Sequence, residues 1–109
     1  MRKLSVTKRK AIYEIALADM KADIKRFPNF CNGLCNCISR AATTSGFVRS
    51  HISAYDYMNS YYPEIWKHKP ESKVRSMYWF SRDYAGGLIR VEILEKAIAD
   101  CNLLLKESV

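Results

Sequence analysis

Apolar positions recur along this chain at three- and four-residue spacing, the signature of amphipathic helices. The first such stripe, Ala11, Ile12, Ile15, Ala16, Met20, Ile24 and Phe27, predicts a helix from about Ser5 to Arg26. Ser5 or Thr7 is placed to cap it and Pro28 to stop it. Its solvent face should carry Lys8, Arg9, Lys21, Lys25 and Arg26. Asn32-Gly33 marks a turn, and a second helix follows over Leu34–Thr44 with Leu34, Cys35, Ile38, Ala41 and Ala42 inward. Ser45-Gly46 should end it, Gly being common just past a helix C-terminus.

A third segment, about Ser50 to Tyr61, places Ile52, Tyr55, Met58 and Tyr62 at helical spacing. Pro63 bounds it and suits the first position of one more short turn, Pro63-Glu64-Ile65-Trp66. Residues 67–75 read as a polar, basic loop leading into Met77-Tyr78-Trp79-Phe80, a run too brief to classify by periodicity. Gly86-Gly87 should break the chain before a last helix from about Leu88 to Lys106, with Leu94, Ala97, Ile98, Cys101 and Leu105 as its core stripe. Glu92 and Lys96, four apart, add modest support to that helix. The expected fold is therefore mainly α, a small irregular helical bundle of two long and two or three short helices.

At 109 residues the chain has the length of one domain, residues 1–109, with residues 1–4 as a flexible basic arm. Charge changes the picture more than composition does. The formal net charge is +7, and it is uneven. Residues 1–54 hold Arg2, Lys3, Lys8, Arg9, Lys10, Lys21, Lys25, Arg26, Arg40 and Arg49 against Glu14, Asp19 and Asp23; residues 55–109 balance. Such a basic half concentrates anions such as nucleic acid, nucleotides or an acidic protein surface. No apolar run is long enough to span a bilayer, and the basic start is followed by no apolar core, so the expected location is the cytoplasm.

In that compartment Cys31, Cys35, Cys37 and Cys101 should be thiols rather than disulfides. Their spacing departs from the paired knuckles of zinc sites, so they read as small buried apolar groups, with no metal and no cofactor expected. His51 and His68 sit in no recognisable catalytic motif, and the nucleotide-binding and hydrolase signatures are missing. The expected role is therefore binding rather than catalysis.

The richest constellation lies between Arg49 and Arg90, where Tyr and Trp rings alternate with Lys and Arg. Rings stack on bases while guanidinium and ammonium groups neutralise phosphate. A ligand pocket is predicted from Arg75, Tyr78, Trp79, Arg82, Arg90, Trp66 and Lys69, taking a phosphorylated nucleotide; the same rings would otherwise complete the core. Arg90, set among Leu88, Ile89 and Val91, either snorkels to the surface or lines a polar pocket. A homo-oligomer would build such pockets between subunits. Nucleic-acid binding through the basic N-terminal half is the alternative, and docking on an acidic host protein a further one.

The segments Gly33-Leu34-Cys35, Met77-Tyr78-Trp79-Phe80 and Arg90 with Leu94 and Ile98 resemble small, uncharacterised accessory proteins of tailed bacteriophages. Those share a Gly-hydrophobic-Cys segment, a Tyr-Trp-Phe segment and a later Arg-x-x-x-Leu helix. Pro often follows the Tyr-Trp-Phe run in them, whereas Ser81 and Arg82 follow it here. The resemblance implies a context, the bacterial host cytoplasm, and no activity. By analogy with phage accessory proteins of this size, the ligand would be a host enzyme, a nucleic acid, or a nucleotide messenger of host defence that the protein sequesters.

Overall fold

The sequence periodicity translates directly into backbone. A computed structural model describes residues 4–26, 34–46, 61–68 and 84–107, including the side chains of all of these but 35, 36 and 84–87. The described residues form four helices: α1 (Val6–Arg26), α2 (Leu34–Thr44), α3 (Pro63–Lys67) and α4 (Tyr84–Glu107). No strand occurs among them. The fold is a small, mainly α bundle. The expected Ser50–Tyr61 helix, the Met77–Phe80 run, Phe27 and Cys31 lie outside the described residues.

Helix α1 is the central element, packed most extensively against α4 and also against α2, while α3 lies against α4. Ser5 caps α1, its Oγ accepting a hydrogen bond from the Lys8 N–H at 3.2 Å. The buried stripe is Ile12, Tyr13, Ala16, Met20 and Ile24, while Ala11 and Ile15 sit at its edge. Tyr13 is the addition to the predicted core, and Arg9 departs from its predicted solvent position. Both turn inward because their polar ends meet a carboxylate brought from α3.

Helix α2 buries Leu34, Cys37, Ile38, Ala41 and Ala42. The Cys37 thiol points inward and donates to the Ala16 carbonyl at 3.4 Å, joining α2 to α1. The helix stops as expected: the Ser45 N–H still reaches the Ala41 carbonyl, and Gly46 then takes φ +81. A Cβ on Gly46 would touch nothing within 4 Å, so the demand for glycine there is conformational rather than steric.

The last helix starts at Tyr84 instead of Leu88, and Gly86-Gly87 lie inside its first turn rather than breaking the chain. Each glycine costs about 1 kcal/mol relative to alanine in a helix interior. A helix of 24 residues packed along α1 absorbs that cost at its end. Its buried stripe is Ile93, Leu94, Ala97 and Cys101, with Ile98 packed at the margin. Glu92 and Lys96 form the expected exposed pair at 2.9 Å. Helix α3 is a short turn begun by Pro63, with both the Ile65 and Trp66 N–H groups bonded to the Tyr62 carbonyl. Ile65 is wholly buried, which anchors this turn to the bundle.

Candidate functional site

Among the described residues, two surfaces and one buried cluster carry the chemistry. The first surface is cationic. On α1 the side chains of Lys8, Lys21, Lys25 and Arg26 are exposed, and Arg40 of α2 is exposed beside them, 3.8 Å from Asp23. Lys21 and Lys25 stand one helical turn apart, and Lys8 lies about 25 Å from Lys25 along the helix axis at about 1.5 Å per residue. Lys25 and Arg26 also complement the carbonyl end of α1, where cations are favoured.

The predicted pocket residues fall unevenly on the structure. Arg75, Tyr78, Trp79, Arg82 and Lys69 lie outside the described residues. Arg90 is completely buried on α4, immediately after the exposed Leu88 and Ile89. It does not snorkel. Trp66, on α3, is half-buried against the core. Neither lines the cleft described below.

The buried cluster joins α1 to α3 through Glu64. Arg9 grips that carboxylate with two parallel bonds, Nε to Oε1 at 2.8 Å and Nη2 to Oε2 at 2.9 Å. Tyr13 donates its hydroxyl to Oε1 at 2.8 Å, and Arg9 Nη1 donates to the Leu4 carbonyl at 2.7 Å. Such forked pairs are the strong kind of charge-assisted bond. Burial pushes the Glu64 carboxyl up, but the bonds from Arg9 and Tyr13 outweigh it and hold the group below the usual carboxylate value. The Arg9 guanidinium is raised, chiefly by its bond to Glu64. Tyr13 is pushed far up, first by burial and then by the neighbouring Glu64 charge. Glu64 is thus a fixed anion with both oxygens in use. Arg9 and Tyr13 share a face by their spacing of four, a signal visible in the sequence; their partner, 55 and 51 residues on, is not.

The second surface is a cleft of about 220 Å³ between α3 and the end of α4, lined by Pro63, Glu64, Lys67, Asp100, Leu103 and Leu104. His68, which ends α3, sits with Nε2 at 2.6 Å from Asp100 Oδ2, and Lys67 Nζ lies 3.7 Å from the same oxygen. Leu103 and Leu104 are 59% and 42% exposed.

The thiols of Cys37 and Cys101 are buried, and burial pushes both up to about 12. At that value they are protonated at neutral pH and are poor nucleophiles and ligands. Among the described residues no group of three or more His, Cys, Asp or Glu side chains is placed to hold a metal ion. Nor, among them, is any helix long and apolar enough to cross a membrane. No protein-family model, curated protein or solved structure matches the chain.

Proposed function

We propose that this protein acts by binding, without catalysis, and that its partner carries phosphate: a nucleic acid held against the solvent faces of α1 and α2. The observation that carries this reading is the exposure of Lys8, Lys21, Lys25, Arg26 and Arg40 on two abutting helices of a chain with net charge +7. A face of this kind gains affinity by releasing the counterions condensed on phosphates, which makes binding salt-dependent and largely indifferent to base sequence. Fluorescence anisotropy with single- and double-stranded oligonucleotides between about 50 and 200 mM salt tests it. The expected log–log slope is about one unit per phosphate contact, and the combined Lys21→Gln, Lys25→Gln and Arg26→Gln variant lowers it by about three units. Absence of binding at low salt, or a variant that binds as the parent does, overturns the reading.

A second reading is a phosphorylated nucleotide held by Arg90 with Trp66 and the rings and cations of Arg75, Tyr78, Trp79, Arg82 and Lys69. What favours it is the interleaving of Tyr and Trp rings with Lys and Arg between Arg49 and Arg90, since rings stack on bases while guanidinium groups pair with phosphate. In a phage-type setting in the bacterial cytoplasm, such a protein would sequester a messenger of host defence, with pockets completed between copies of the chain. A ligand of the native state must raise the melting temperature. Cyclic dinucleotides and ADP-ribose derivatives at large excess therefore test this reading, and no shift ends it. Capture of an acidic host protein, uncompeted by nucleotide or DNA, would replace both readings with that of an inhibitor docking on its target.

A further inference from the structure

We infer that the cleft between α3 and α4 is a binding site for a small zwitterion with an apolar body, of the class of a free apolar α-amino acid. Its walls combine three features that suit such a ligand together. Pro63, Leu103 and Leu104 supply apolar surface, and the two leucines stand 59% and 42% open, so covering them gains hydrophobic free energy. Glu64 lines the cleft but is spent, both its oxygens being held by Arg9 and Tyr13. Asp100 is not: among the described residues His68 and Lys67 both approach Oδ2 and none bonds Oδ1, which leaves that oxygen for a donor from the cleft.

Lys67 completes the pair. Its side chain is 68% exposed and its ammonium stands 3.7 Å from Asp100, a loose surface contact of little worth. Exchanging that contact for two ligand contacts therefore costs little. The cleft thus presents a carboxylate and an ammonium side by side, matching an ammonium and a carboxylate carried on one carbon. A volume of about 220 Å³ is below the roughly 300–1,000 Å³ of drug-sized pockets. It suits a ligand with one medium apolar side chain rather than a nucleotide.

Isothermal titration of the full chain with L-leucine and L-phenylalanine, beside leucinamide and N-acetyl-leucine, tests the site. The expected result is saturable binding of the free amino acids, weakened at least about ten-fold in both capped analogues, since each lacks one charged contact. Lys67→Gln, a change at an exposed position, weakens leucine by a similar factor but not leucinamide, which lacks the carboxylate. Asp100→Asn does the reverse, sparing N-acetyl-leucine. No binding at millimolar leucine overturns the inference, as does equal binding of free and capped forms. Tighter binding of an internal leucine in a peptide would assign the cleft to protein docking and overturn it as well. None of these outcomes bears on binding of nucleic acid at α1 and α2.

Discussion

Two carboxylates pin the short helix α3 to the rest of the molecule, and water separates their roles. Glu64 is 7% exposed, gripped in a fork by Arg9 and bonded by Tyr13. Asp100 is 26% exposed, held through one oxygen by His68 and loosely by Lys67. At Glu64, where water is shut out, both carboxylate oxygens are satisfied by protein, and the result is a rigid joint with no capacity left for a ligand. Where water enters, contacts are weak and exchangeable. The same chemistry therefore makes structure at one end of α3 and an accessible surface at the other.

Alkali breaks the dry side most completely. Cys37 and Cys101 are held up to about 12 against an ordinary 9.0, and Tyr62 up to about 12 against 10.0. Tyr13 is raised further in the same direction. A group whose folded pKa lies above its unfolded one keeps its proton longer when folded. Its contribution is complete below the unfolded value and drains away as pH rises through the folded one. Stability should hold to about pH 9 and then fall by several kcal/mol by about pH 12, followed by urea titrations under circular dichroism. An undiminished stability across that window would show that these groups are wetter than their burial implies.

Removing one partner of the dry joint comes next. Glu64→Ala leaves the Arg9 guanidinium mostly enclosed without its anion, and a loss of about 3 kcal/mol is expected from chemical denaturation. The acid limb of the pH profile reports the same carboxylate. Because Glu64 is lowered in the folded state, its contribution is full above the usual carboxylate range and is lost as pH falls through the folded value. That limb should flatten in Glu64→Gln. Tyr13→Phe removes one hydrogen bond to Glu64 and leaves a bidentate pair, so about 1 kcal/mol should be lost in the same assay. The wet end gives the smallest effect. Asp100→Asn should alter stability by less than about 1 kcal/mol while weakening the binding of a free amino acid about ten-fold. A larger loss at Asp100 than at Glu64 would reverse the contrast between the two ends.

The helices were legible in the sequence because their signals are local. The stripe through Ile12, Ala16, Met20 and Ile24, the cap at Ser5, and Gly46 after α2 each depend on neighbours within a turn or two. The same periodicity misplaced Arg9, which it put in water, because nothing nearby announces a carboxylate 55 residues on. It also stopped short at Gly86-Gly87, where local propensity favours a break and the long contact with α1 carries the helix through. Of the predicted pocket residues, Arg90 has a depth that the sequence left open between surface and interior. The structure resolves this toward the interior.

Composition and spacing alone thus determined a helical class, a basic surface and most of the core stripe, since a helix repeats every 3.6 residues whatever surrounds it. Tertiary structure alone decided which charges are spent and which are available. The approach of α3 to α1 turned Arg9, Tyr13 and Glu64 into one closed joint. The packing of α3 on α4 set Lys67 and Asp100 beside a cleft that neither segment contains by itself. Charges acquire their roles from how much water and how many partners the fold leaves them, and both are properties of distant segments brought together.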